Sequence, residues 1–288
     1  MAEKSKNAFH FTYTTSNKLF SYLILGIGAF LALIPFIWMV STSLKSLGEA
    51  LGTAFFPSEL HWENYAEAWR KALFSEYFLN SLLITSITLV GEITFSVLAA
   101  YAFARIKFPG RDLIFTIMLS TIMIPAMVFI IPNFLTVTWL GRIGPIPWIN
   151  NWPALTIPFM GSIFSIFLLK QFFSQIPDEL FDAAQMDGAG HLRFLWKVVL
   201  PLSKAPLMVI LVLSFIGTWN SLAWPMLVTN TPDWRPISVG LMNFVNEAGQ
   251  EINLTMAGAF ITIIPILIIY FFTQKQFTES ISRSGLKG

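Results

Sequence analysis

The chain contains no cysteine. Disulfides, thiolate metal sites and cysteine nucleophiles are excluded together, and nothing marks a redox compartment. Histidine is scarce as well: His10, His61 and His191 lie in separate segments with no pair at ligand spacing, so neither a metal centre nor an acid–base cluster is expected. No Gly-x-x-x-x-Gly-Lys-Ser/Thr stretch occurs, which removes the phosphate-cradling loop of an ATPase. The chain is therefore not expected to be an enzyme or to hold a cofactor of its own. Charge is also sparse. Only 12% of residues are charged and the formal net charge is +2, too little to draw nucleic acid.

What is present is apolar. With 55% hydrophobic residues the sequence exceeds an ordinary soluble domain, and a buried soluble core would need charged surface positions that are missing. Six runs are long enough to cross a hydrocarbon core: 19–40, 78–104, 113–140, 152–169, 207–228 and 254–273. The expected fold is an all-α membrane protein with six transmembrane helices in a domain over 19–273, between an N-terminal segment 1–18 and a tail 274–288. The first run is longer than a signal-peptide core and no small-residue cleavage site follows it, so it is expected to stay attached. If the N-terminus is cytoplasmic, thirteen lysines and arginines fall inside against five outside, which places both ends in the cytoplasm.

Several positions stand out within this frame. Pro125, Pro132, Pro153, Pro158, Pro225 and Pro265 interrupt the spans, and each removes a backbone donor, so kinks are expected there. Glu92 is the charged residue well inside a span; it must be neutralised, paired or hydrated, and Ser86, Thr88, Thr94 and Ser96 are the nearby hydroxyls. It reads either as a polar contact for solute or as a carboxyl bonded to a neighbouring helix. In the outer segment 44–77, Trp62, Tyr65, Trp69 and Phe74 are spaced for a short amphipathic helix, either capping the outer mouth or lying at headgroup level. The polar loop 229–253 is long enough to meet an external partner. Trp219-Asn220 and Trp224 offer aromatic faces and an amide of the kind that binds sugars, although packing or lipid-facing tryptophans fit the same pattern.

Between 175 and 206 the chain turns polar. Pro177 suits the first turn of a helix, and Asp178, Glu179 and Asp182 put negative charge at its positive end. Gly188 and Gly190 supply freedom for a sharp turn, after which 191–200 resumes helical character and Pro201 is expected to end it. Glu179, Ala183 and Asp187 share one face, where the alanine lets a partner's backbone come close.

The stretch Asp182-Ala183-Ala184-Gln185-Met186-Asp187-Gly188-Ala189, with Ile176-Pro177 before it and Leu200-Pro201-Leu202 after it, resembles the EAA loop of membrane subunits of binding-protein-dependent ATP-binding-cassette importers. Asp182 stands where the family's pattern has Glu. The similarity extends to Pro35, Trp38, Ser43-Leu44-Lys45, Asn64-Tyr65, Asn80-Ser81, 100–105, Phe108-Pro109-Gly110-Arg111, Met123-Ile124-Pro125, Phe215, Trp219-Asn220 and Trp224-Pro225, and points to the carbohydrate branch, of maltose-permease G type. The resemblance implies a bacterial or archaeal inner-membrane permease working by alternating access. Its implied partners are a homologous second permease chain, two ATP-binding subunits holding ATP and Mg, and an extracytoplasmic solute-binding protein that delivers a carbohydrate.

By the same resemblance Asp182, Ala183, Ala184, Met186, Asp187, Gly188, Ala189 and Gly190 form the coupling helix seated on the ATPase. Gly285, Lys287 and Gly288 belong to a tail that reaches the same subunit, and Glu92, Trp219, Asn220 and Trp224 are the candidates for the solute pathway. Two alternatives stay open: the same architecture carrying a non-sugar solute, and an ion-coupled secondary transporter, which would need more intramembrane ionisable groups.

Overall fold

In hydrocarbon a single apolar run can satisfy its own backbone only as a helix. The computed structural model, which describes residues 15–246 and 249–285, folds the runs in this way. In chain order the helices are α1 Thr15–Ser43, α2 Leu47–Ala50, α3 Glu63–Lys71, α4 Phe74–Arg105, α5 Arg111–Ser120, α6 Ile130–Ile143, α7 Trp152–Thr156 and α8 Ile163–Ser174. They continue with α9 Asp178–Met186, α10 His191–Phe194, α11 Leu200–Leu202, α12 Lys204–Trp219, α13 Ala223–Val228, α14 Ile237–Gly240 and α15 Ile252–Gly285. Among the described residues the exception to helix is a two-residue antiparallel pair, β1 Val245–Asn246 and β2 Gly249–Gln250.

Among the described residues, five stretches are long and apolar enough to cross a membrane: Phe20–Ser43, Phe74–Arg105, Ala126–Ile143, Trp152–Ser174 and Ile252–Gln274. A sixth qualifies only when His191–Leu202 and Lys204–Trp219, which meet at 80°, are counted as one. The expected run 207–228 is thus divided. α12 ends at Trp219, and α13 begins again at Ala223.

The run 113–140 is divided too. α5 stops at Ser120, a 3-10 turn covers Thr121–Met123, Ile124 and Pro125 are extended, and a second 3-10 turn over Ala126–Phe129 leads into α6. Pro125 has no N–H and forces the residue before it out of helical geometry, so the break falls on Ile124. Met123 and Met127 beside it are 86% and 73% exposed.

The other prolines behave differently from simple kinks. Pro132 and Pro153 occupy first turns of α6 and α7, where the missing donor is harmless, Pro158 lies in the 3-10 turn between α7 and α8, and Pro265 is carried inside α15.

α4 is the central post, packed against α8 and α12, while α1 lies along α15. Before its last turn, which buries Ser41, Thr42 and Ser43, α1 buries almost nothing else, and residues such as Phe20, Leu25 and Phe30 are exposed to the surroundings. Three apolar clusters are strung along the bundle. Tyr101, Phe173, Phe194 and Leu195 close one end, Phe74, Tyr77, Trp219 and Phe244 the other, and Ile84, Leu155 and Trp224 form a third.

The short amphipathic helix expected in 44–77 is α3. It is pinned by a polar hub that periodicity did not reveal. Lys45 is fully buried, its Nζ donates to the Ala54 carbonyl at 2.6 Å, and it stands 4.6 Å over the Trp38 ring. Asn64 Nδ2 donates to the carbonyls of Ser43 and Lys45 at 2.9 and 2.8 Å, and Ser43 Oγ meets the Tyr65 hydroxyl at 2.7 Å. Lys71 of α3 reaches Glu251 at 2.6 Å, and that carboxylate holds the ammonium pKa above its ordinary value.

Two glycines permit the tight packing at this end. A Cβ on Gly240 would lie 2.8 Å from Tyr77 Cδ2 and 3.1 Å from the Ala72 carbonyl, and one on Gly258 would lie 2.8 Å from Phe244 Cε2. Gly240→Ala is expected to lower stability by about 1–3 kcal/mol through overpacking. Thermal unfolding of the purified assembly checks this, with Gly48→Ala, which meets open space, as the control. Equal melting of the two variants would refute the packing argument.

Candidate functional site

The polar segment after α8 folds as a helix, an elbow and a second helix. Pro177 is the N-cap residue of α9 with extended ψ, and Asp178 and Glu179 occupy the first turn. At the far end the Ala189 N–H reaches back to the Ala184 carbonyl at 2.8 Å, and Gly188 adopts φ +74. That is a left-handed C-terminal cap, which favours glycine for its backbone alone, since a Cβ there would meet nothing within 4 Å. Gly190 has φ −81 and is extended, so the elbow depends on one glycine where two were expected.

Pro201 does not end the second helix. Leu195–Val199 widens into a π turn, with the Leu200 N–H bonded to the Leu195 carbonyl, and the helix passes through Pro201 to Leu202. The wider turn relieves the clash a proline ring makes with the carbonyl four residues earlier. Ser203 then makes the bend into α12.

α9 buries none of its residues fully. Phe181 and Ala184 lean on the bundle, whereas Asp182, Ala183, Met186, Asp187 and Gly188 face outward, Met186 being 90% exposed; Ala189 is half-buried and Gly190 exposed. Both arms of the elbow are fastened to the last turns of α4. Tyr101 Oη bonds His191 Nδ1 at 2.9 Å, and the imidazole stacks on Phe181 with centroids 4.8 Å apart. Arg105 holds the Asp178 carboxylate and donates to the carbonyls of Phe173, at 2.8 Å, and Ile176. An exposed small-residue face on a rigidly anchored elbow can receive a partner and pass its movement into the bundle.

The pathway candidates separate. Glu92 is buried, and its Oε1 accepts from Ser165 Oγ of α8 at 2.7 Å and Ser214 Oγ of α12 at 2.8 Å. The hydroxyls near it in sequence do not serve it: Ser86 and Thr94 face outward, while Thr88 and Ser96 are buried with no partner.

Trp219 is fully buried, stacked on Phe215, with Nε1 donating to the Thr262 carbonyl at 3.0 Å. Asn220 is exposed at the end of α12. Trp224 donates to the Ala154 carbonyl at 2.8 Å and borders a cavity of about 120 Å³ between α4, α12 and α13. Gly285 ends α15, and Lys287 and Gly288 lie outside the described residues.

Comparison with known proteins gives a consistent result. The family model described as "Binding-protein-dependent transport system inner membrane component" matches residues 92–282. The sn-glycerol-3-phosphate transport system permease protein UgpE of Yersinia pestis bv. Antiqua (strain Antiqua) is 33% identical over 274 residues, covering 91% of this chain and 95% of the relative. The diacetylchitobiose uptake system permease protein NgcG of Streptomyces coelicolor is 29% identical over 271 residues, covering 93% and 88%. Among solved structures, a chain of a bacterial ABC transporter involved in the import of the acidic polysaccharide alginate superposes with TM-score 0.78 at 29% identity, covering 91% of this chain and 98% of that one.

Proposed function

Since the chain belongs to the family of binding-protein-dependent transport system inner membrane components, we propose that it is the permease subunit of an ATP-driven importer that moves a carbohydrate inward. The anchored elbow carries this reading: α9 keeps its small-residue face free while Tyr101 and Arg105 tie both of its arms to the central post α4. A separate ATPase, holding ATP and Mg, would press on that face and move α4 with it. The face comprises Asp182, Ala183, Met186, Asp187 and Gly188. The tail residues Gly285, Lys287 and Gly288 are assigned to the same subunit on the strength of the sequence resemblance.

A second, homologous membrane chain is supported by the break at Ile124 and Pro125. The Ile124 N–H and the Pro125 carbonyl are satisfied within the break, by the Thr121 carbonyl and the Val128 N–H, and the surface such a partner would cover is that of the exposed Met123 and Met127 beside it. The solute-binding protein follows from the family's mode of transport, and the count of lysines and arginines favours cytoplasmic termini in an inner membrane. A phosphorylated polyol is the second candidate solute, because several relatives are named for sn-glycerol 3-phosphate. Glu92, Asn220 and Trp224 remain the proposed pathway positions; Trp219 would act by supporting them from the core.

Purification of the assembly through a tag on this chain tests the reading. A second permease chain and an ATP-binding subunit should co-isolate, and a cysteine at Ala183 should cross-link to the ATP-binding subunit. An elbow that cross-links to nothing, with and without ATP, would defeat it.

A further inference from the structure

The turn that joins α4 to α5 gathers positive charge at the elbow's end of the bundle. Arg105, which holds the Asp178 carboxylate, is followed by Ile106, Lys107 and a loop in which Gly110 adopts φ +78, the left-handed region that favours glycine. The Arg111 N–H closes this turn on the Phe108 carbonyl at 3.3 Å, and the Phe108 ring packs on Phe103. Lys107, Phe108, Gly110, Arg111, Asp112 and Leu113 thereby border a recess of about 390 Å³. It is far larger than the roughly 30 Å³ share of one water, so it suits a group of many heavy atoms rather than one ion.

The charges around the recess are not balanced within the chain. Lys107 is exposed and has no acidic partner among the described residues. Arg111 gives Nε to the Asp112 carboxylate at 3.0 Å, a group 85% exposed, and among the described residues its two Nη nitrogens have no acceptor. A third cation, Lys170 of α8, stands 4.7 Å over the ring of Phe115, one turn beyond Arg111, and adds to the positive potential without an acidic partner among the described residues. The face that follows is apolar and bare: Leu113, Ile114 and Ile117 are 66%, 45% and 58% exposed. The ten residues of α5 rise about 15 Å, half of the roughly 30 Å hydrocarbon core. A soluble anion or an acidic peptide would answer the charge and leave this flank uncovered. A phospholipid answers both, with its phosphate at the turn and its chains along one leaflet's depth of helix.

We propose that the turn between α4 and α5 binds one anionic phospholipid of the cytoplasmic leaflet, its phosphate between Lys107 and Arg111 and its acyl chains along Leu113, Ile114 and Ile117. The proposal rests on the importer reading, which turns the elbow, and this end of α4 with it, toward the ATPase and the cytoplasm.

The assembled importer in phosphatidylcholine nanodiscs tests it, with a small fraction of phosphatidylglycerol that carries a diazirine on one acyl chain and with adducts read by mass on the α5 peptide of this chain. At least about tenfold more label is expected there from phosphatidylglycerol than from phosphatidylcholine bearing the same diazirine chain. Lys107→Gln with Arg111→Gln should lower the phosphatidylglycerol label about tenfold or more, since each cation near an anionic lipid contributes a factor of about five. Arg70→Gln with Arg142→Gln, exposed at the opposite end, removes the same charge and should leave the label unchanged. Equal labelling by the two lipids, equal labelling of the parent and the Lys107 and Arg111 double variant, an equal loss in the opposite-end pair, or displacement by inorganic phosphate as effective as by unlabelled phosphatidylglycerol overturns the site. Lys107→Gln alone, with a loss of about fivefold expected, serves if the double variant does not assemble. An unsubstituted assembly with no co-purifying ATP-binding subunit would instead count against the importer reading, so the two failures are distinguishable.

Discussion

Arg105→Ala is expected to cut solute uptake about 100-fold while ATP hydrolysis by the assembled importer continues. The guanidinium is 8% exposed and serves three acceptors at the junction of α8 and α9. They are not equal. Asp178 is 88% exposed, so its ion pair is screened and contributes roughly 0–1 kcal/mol. The carbonyls of Phe173 and Ile176, at the end of α8, depend on Arg105 for a charged donor. Bonds of that type contribute about 1.5–3 kcal/mol each, so losing both loosens the junction by roughly 3 kcal/mol or more, which corresponds to the fold-change given. Arg105→Lys keeps the charge but not the fork, and an intermediate loss is expected. Asp178→Asn should be almost silent. Parallel uptake and hydrolysis assays in proteoliposomes decide the matter; Arg105→Ala within twofold of wild-type uptake would remove α4 from the transmission route.

Glu92→Leu is expected to lower the stability of the assembly by about 2–3 kcal/mol. One carboxylate oxygen joins α4 to α8 through Ser165 and to α12 through Ser214, so its loss orphans two hydroxyls. An orphan costs about 1–3 kcal/mol where it is fully buried, as at Ser165, and less at the half-buried Ser214 or where a serine can turn back to its own helix. Glu92→Gln retains an oxygen acceptor and should melt within about 1 kcal/mol of the parent, with uptake preserved. Thermal unfolding and uptake on the same preparations separate the outcomes. A Gln variant that melts normally yet carries no solute would assign the carboxylate a part in transport beyond holding three helices.

These two residues also mark how far the sequence could be read. The elbow was legible because caps and turns are local: Pro177, the acidic first turn and Gly188 announce themselves within a dozen positions. α3 was legible for the same reason, through the spacing of its aromatics. The partners of Glu92 were not, since Ser165 and Ser214 come from remote segments and only packing brings them together. The hydroxyls nearest it on its own helix do not serve it: Ser86 and Thr94 are exposed, and those of Thr88 and Ser96 are buried without a partner.

The buried Lys45 was counted among the outer loop charges, although it closes a folded hub with Asn64 and Trp38. The divisions at Ile124 and at 220–222 were missed because hydropathy registers apolarity and is blind to dihedral angles. Pro201 misled in the opposite sense, since a π turn absorbed it.

The extended pair at Ile124 and Pro125 bears on how the molecule is made. The Ile124 N–H and the Pro125 carbonyl are bonded locally, to the Thr121 carbonyl and the Val128 N–H, so what a copy inserted without company leaves to the acyl chains is the bare Met123 and Met127 side chains. If the second membrane chain proposed above covers this break, overproducing the protein alone should yield a shorter-lived product than producing it together with that chain.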